Sequence, residues 1–179
     1  MAHAYYSDNP MRTIRITLAL FKLFSTYAHS SEDCDVLASL EADPNSVSSP
    51  VAFNDINSSA VIYACSKAIM RNDEHQPRFL LHRARGYLKG GESDKALLDL
   101  EQSHNLGYPA ATFGLATAYF LGDDVAQDLD KARQLFIDSF EHGVSWAALG
   151  LSMLYRNEMY EDYNLEKAKK WEARFKDDY

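Results

Sequence analysis

Residues 107–143 read GYPAATFGLATAYFLGDDVAQDLDKARQLFIDSFEHG, and this stretch decides the fold. It reads as one helix–turn–helix unit: Pro109 suits a first helical turn, and Gly107 and Gly143 suit the left-handed residue just past a helix end. Similar units lie on either side. A shift of 36 residues places Ala111 on Ala147, Gly114 on Gly150, Leu115 on Leu151 and Tyr119 on Tyr155. It also places Lys131 and Ala132 on Lys167 and Ala168, and, run backwards, on Lys95 and Ala96. The first helix of the earliest unit matches at a shift of 32, with Tyr87 under Tyr119 and Gly90 under Gly122, so its inter-helix loop is four residues shorter. Small residues (Ala84, Ala116, Ser152) precede the three tyrosines by three positions and share their helix face. A period of this kind marks stacked repeats, because one helix pair cannot bury its own apolar face.

The expected first helices are Arg78–Lys89, Pro109–Leu121 and Ser145–Glu158; the second helices are Ser93–Leu106, Leu129–His142 and Leu165–Lys176. Ser93 and Asp128 suit N-caps. The last helix carries charge on its outer face, as a terminal cap requires.

At these residues the chain resembles the Sel-one-like repeat family, relatives of the tetratricopeptide repeats. Ala111, Leu115, Tyr119, Gly122, Val125, Asp128, Lys131, Ala132 and Gly143 stand at the family's motif positions. Ala116 replaces its glycine, Leu135 its tryptophan, and Ser139 with Phe140 its paired alanines. The next unit keeps Leu151, Tyr155, Lys167, Ala168 and Trp171, but has Glu158 and Glu161 where a loop glycine and valine belong. The resemblance covers about 100 residues. It implies an all-α fold, a right-handed α/α superhelix of about three helix pairs over residues 76–179. It also implies a binding face on the first helices, three before, one after and four after each small residue. Those positions are Leu81, Arg85 and Leu88; Phe113, Thr117 and Phe120; and Leu149, Met153 and Arg156, with Arg78 and Trp146 extending the face. Aromatic, Met and Arg side chains dominate interface energies. Arg85 and Arg156 on one open wall would suit a carboxylate on a peptide, and their removal would leave stability nearly unchanged.

Residues 1–30 have the order of a targeting segment. MRTIR from Met11 is basic, ITLALFKLF is apolar, and Ala28 and Ser30 stand three and one before a possible cut. Lys22 interrupts the apolar run, and an amphipathic surface helix or an uncleaved anchor fits the same residues. The run is too short for an ordinary membrane span, and no later stretch approaches one. Residues 31–75 carry both cysteines, Cys34 in a short helix and Cys65 in a second helix over Asn54–Met70, separated by an Asp-, Pro-, Asn- and Ser-rich loop. In an exported chain two cysteines favour a Cys34–Cys65 disulfide; in a cytosolic one they would be buried free thiols. Cys34, Val51, Phe53, Ala64, Cys65, Ala68, Pro77 and Arg78 also resemble the lead-in of exported bacterial Sel-one-like repeat proteins. That resemblance implies a periplasmic or secreted location, with the cytoplasm as the alternative.

The 179 residues suffice for one compact domain over 31–179. The net charge of −8, or −10 without residues 1–30, disfavours nucleic acid and anionic membrane as partners. Ser-x-x-Lys, Gly-x-Ser-x-Gly, Gly-x-x-x-x-Gly-Lys and His-Glu-x-x-His are all missing. No two of the six histidines stand at i,i+4, and no Cys-x-x-Cys occurs, so no metal or other cofactor is expected. His82, His104 and His142 read as helix-surface residues. The expected function is a non-catalytic scaffold for a protein or peptide segment. The alternative is an enzyme, or its substrate-gripping subunit, with a site in the groove.

Overall fold

The structure is a computed structural model that describes residues 33–71, 74–123 and 125–178. The targeting segment expected at residues 1–30 lies outside the described residues. Among the described residues eight α-helices follow one another: α1 (33–38), α2 (Ser58–Ile69), α3 (Gln76–Lys89), α4 (Ser93–Asn105), α5 (Pro109–Leu121), α6 (Leu129–Glu141), α7 (Trp146–Tyr155) and α8 (Leu165–Asp178). A 3-10 turn over Phe53–Asp55 precedes α2, and no strand occurs among the described residues. The described residues are thus all-helical, and from α2 onward each helix packs on the next. The first helices α3, α5 and α7 also touch one another in turn.

The repeat is legible in the hydrogen bonds of its loops. The amide that opens each second helix returns to the carbonyl of its unit's recurring tyrosine: Glu92 to Tyr87 at 2.9 Å, Asp128 to Tyr119 at 3.0 Å, and Asn164 to Tyr155 at 2.9 Å. The third loop therefore closes like the second although Glu158 and Glu161 replace its glycine and valine. Asp128 caps α6 by accepting from the Lys131 amide, and Asn164 caps α8 by accepting from the Lys167 amide, both at 2.9 Å. The expected cap at Ser93 is not formed: Glu92 holds the N-cap position of α4, and its side chain makes no hydrogen bond to the helix's first amides. Gly107 and Gly143 adopt φ of 80° and 94°, the left-handed geometry that spares a Cβ its clash at a helix end. Helix α7 stops at Tyr155, short of the expected Glu158, because Asn157–Glu161 turn back toward α8. Helix α2 starts at Ser58, after Asn57 caps it by accepting from the Ala60 amide at 3.1 Å.

Packing explains the small residues. Ala84 and Ala116 have no exposed surface and Ser152 has 2 %, so each sits where helices meet. Ala96, Ala132 and Ala168, each following the repeated lysine, are likewise fully buried. The lysines themselves stay outside and lie over the tyrosines of their own unit: Lys95 over Tyr87, Lys131 over Tyr119 and Lys167 over Tyr155, at 5.5, 3.9 and 5.1 Å from the ring centres. Ser103 and Ser139, one repeat apart, donate from α4 and α6 to the carbonyls of Pro77 and Pro109 at 2.7 and 3.0 Å. Those carbonyls belong to the first turn of α3 and α5, so each serine ties a second helix to the start of the first helix of its own unit.

Three buried clusters run along the chain. The first joins Cys34, Ala38, Val61, Cys65 and Phe79; the second joins Leu81, Ala84, Leu100 and Leu115; the third joins Ala116, Phe136, Leu151, Leu154 and Tyr155. Cys34 and Cys65 stand at disulfide distance, with Cα atoms 4.8 Å apart, and tie α1 to α2. Both are fully buried.

Candidate functional site

The residues expected on the first-helix face have different settings in the three units. On α3 the face is covered. Arg78 is only 8 % exposed and grips Asp35 of α1 with two bonds, Nε to Oδ1 at 2.8 Å and Nη2 to Oδ2 at 3.0 Å. Arg85 is equally buried and donates to three main-chain carbonyls: Ala38 and Ser39 at 2.6 Å each, and Val51 at 2.8 Å. Leu81 is 2 % exposed, and Leu88 is half-buried beside it. What lies over this face is the chain's own segment 33–52, made of α1 and the loop after it. The open arginine wall expected at Arg78 and Arg85 is therefore corrected: both arginines are internal, with the carboxylate and carbonyls they bind supplied in cis. The expectation that Arg85 could be removed without loss of stability is corrected with it.

On α5 and α7 the face has no such cover among the described residues. Phe113 and Phe120 are half-buried and lean on Phe136 of α6, ring centres 5.9 and 6.3 Å away. Thr117 lies between them, half-buried, its hydroxyl donating to the Phe113 carbonyl at 3.0 Å. Leu149 is half-buried and Met153 is 51 % exposed. Trp146 is half-buried and meets Phe175 of α8 edge-on at 5.6 Å. Arg156 is exposed and pairs with Glu172 of α8. Arg85 and Arg156 thus differ entirely in setting, one inside the protein and one at its surface.

The covered face holds a polar cluster that the repeat register did not reveal. His82, expected at a helix surface, has no exposed area. Its Nδ1 lies 3.3 Å from Asp35 Oδ1 and 3.8 Å from Cys34 Sγ. The carboxylate is the stronger acceptor, so Nδ1 carries the proton and Nε2 does not. Nε2 is buried and has no hydrogen-bond partner among the described residues. The Tyr108 hydroxyl, at the entry to α5, donates to Asp43 at 2.7 Å. A signal for His82 did exist. The shifts of 32 and 36 residues place it on Gly114 and Gly150, where the later units need glycine to admit Leu100 and Phe136. His104 is half-buried with Nδ1 2.8 Å from Thr112 Oγ1, and His142 is exposed, 3.3 Å from Asp138.

The cluster's electrostatics follow from burial and partners. Burial pushes the Asp35 carboxyl up, but the hydrogen bonds from His82 and Arg78 and the Arg78 charge outweigh it and hold the group below 3.8. Burial pulls the His82 imidazole below 6.5 against the opposing pull of Asp35 and Asp43. Burial also brings the Arg85 guanidinium down to about 10. Burial, then the Asp43 charge and hydrogen bond, push the Tyr108 hydroxyl up.

A shallow depression of about 510 Å³ lies elsewhere, between the α5–α6 and α7–α8 loops, with Asp128, Asp130, Lys131 and Glu161 on its rim. Asp128 is engaged as a cap and Asp130 accepts from Tyr160 at 3.1 Å. No group of three His, Cys, Asp or Glu among the described residues could hold a metal ion, and no helix among them is long and apolar enough to cross a membrane. No protein-family model matches the chain, and a search of curated proteins finds no match to it.

Proposed function

We propose that the chain is a non-catalytic repeat scaffold of the Sel-one-like type, a right-handed superhelix of helix pairs whose first-helix face binds a protein or peptide segment. One observation carries the reading: on α3 that face already holds a polypeptide segment. Arg85 binds three carbonyls of it and Arg78 binds its carboxylate side chain. The grip is mostly on main chain, which is how a repeat face accepts segments of varied sequence. Phe113, Thr117, Phe120, Leu149 and Met153 continue the same register, with Met153 in the open. The partner that suits this part is a segment presenting one large apolar side chain toward Phe120 and Met153 and a carboxylate toward Arg156. That carboxylate would share Arg156 with Glu172. A periplasmic or secreted setting is supported by the Cys34–Cys65 pair.

Selection from a random peptide library tests the proposal. Selected peptides are expected to share an apolar anchor, and to lose about tenfold or more in affinity for Met153→Asp or Phe120→Asp protein. Peptides that bind both variants as well as the parent protein would refute it.

A further inference from the structure

We infer that Asn57 is the acceptor of an N-linked glycan, delivered to the exported chain from a lipid-linked oligosaccharide diphosphate. Asn57-Ser58-Ser59 is the one Asn-x-Ser/Thr triplet with a non-proline centre in the 179 residues. Asp55 stands two places before the asparagine, as in the longer acceptor signal that some bacterial transferases read. The structure puts this triplet where a bulky polar group meets solvent. Asn57 is exposed, between the 3-10 turn at Phe53–Asp55 and the first turn of α2. Asp55 and Ser59 are exposed beside it. Asn57 Oδ1 accepts from the Ala60 amide at 3.1 Å, which leaves Nδ2, the atom that bears a glycan, without a partner among the described residues.

The transfer is a substitution at the sugar. Nδ2 of Asn57 bonds to C1 of the oligosaccharide and gives up one proton, while the bond from C1 to the diphosphate oxygen breaks and the lipid diphosphate leaves. In the folded protein Asn57 is fixed as the cap of α2, and Ser58 and Ser59 already lie in the helix. The transferase therefore meets the triplet before α2 forms. An amide that has gained a sugar on Nδ2 keeps the oxygen that accepts from Ala60, so the modified chain can still cap α2. The glycan then stands on the α2 side of the molecule. Helix α2 packs on α3, and none of its helix contacts is with α5 or α7, where the proposed binding face is open. Cys65 lies on the same helix, and its pairing with Cys34 is favoured in the same non-cytosolic compartments where such transfers occur. The inference shares the export reading with the proposed function and needs nothing of its binding face.

Intact-mass measurement of the protein from the envelope or secreted fraction of its own cells is expected to show an added oligosaccharide, with fragmentation placing it on Asn57. A purified bacterial oligosaccharide transferase with its lipid-linked donor should modify the reduced, unfolded full chain at Asn57, and the oxidised, folded chain several-fold more slowly. Ser59→Ala keeps the Asn57 cap and should abolish the transfer; Ser59→Thr should keep it, and Asp55→Asn should slow it. The glycosylated chain, refolded and reoxidised, should melt at the same temperature as the bare one. An unmodified Asn57 in the cellular protein would overturn the inference, as would an unfolded chain that the transferase leaves untouched. So would transfer that persists in Ser59→Ala. A glycosylated chain that fails to refold would also overturn it, by showing that Asn57 cannot carry a sugar and cap α2 together.

Discussion

Phe136 of α6 fills the space in front of Gly150 of α7: a Cβ at position 150 would lie 2.5 Å from the ring. One repeat earlier Leu100 of α4 stands in the same relation to Gly114 of α5, at 2.9 Å. One repeat later position 172 is a glutamate that pairs with Arg156 and Lys176. The series Leu100, Phe136, Glu172 is thus the contact by which each second helix receives the next first helix, and a charge stands where stacking would continue.

Gly150→Ala sets two effects against each other. Removing a mid-helix glycine stabilises by about 1 kcal/mol, whereas overpacking a filled core costs about 1–3 kcal/mol. The ring is rigid and 2 % exposed, so it has little room to yield. Urea unfolding is expected to show a net loss of about 1–2 kcal/mol. Phe136→Leu combined with Gly150→Ala should lose less than the sum of the single changes. A stabilised Gly150→Ala protein would contradict the contact.

Arg85→Ala strips a buried donor from three carbonyls and is expected to cost about 2–4 kcal/mol in denaturant unfolding. Lysine is a poor substitute, since a compact ammonium cannot reproduce the guanidinium fork. Arg156→Ala removes only a surface ion pair and should cost less than about 1 kcal/mol. Equal effects of the two alanine changes would refute the burial difference between them.

Stability should begin to fall with acid at an unusually high pH. The folded His82 lies below its unfolded value of 6.5, so the unfolded chain takes up the proton first and stability drops as pH falls through about 6.5. Asp35, held below 3.8, adds stability that is complete above that value and is lost as pH falls through its folded one. Melting temperature measured against pH should show both limbs, and His82→Asn should remove the upper one alone. A single limb near pH 4 in the parent protein would count against this.

Cutting the Cys34–Cys65 link by serine replacement at both positions opens a loop of separation 31 and should cost about 3 kcal/mol. Exchange protection should fall first in α1 and the loop after it, because they lose the cross-link that fixes α1 against α2. Two thiols that alkylate in unreduced, denatured protein would show that the pair is not bonded.

Ser139→Ala should cost about 1 kcal/mol by removing the side-chain bond to the Pro109 carbonyl, and Ser103→Ala a similar amount at Pro77. Matching losses would establish the two serines as one repeated tie. An effect at one position only would break the equivalence.

Much of this molecule is written in local pattern. The helices, the left-handed glycines at 107 and 143, the Asp128 cap, and the buried small residues 84, 116 and 152 all follow from spacing. They do so because helix periodicity and glycine's missing Cβ act over a few residues and recur with the repeat. The fate of Arg78, Arg85 and His82 was decided only in three dimensions. Their partners lie 34 to 48 residues away, and Arg85 binds carbonyls that every residue possesses, so no side-chain pattern announces the contact. The repeat register gave Arg85 a place on α3 but not its partners. Whether that helix met solvent, a partner or the chain itself depended on where a disulfide-tied segment from outside the repeats came to rest.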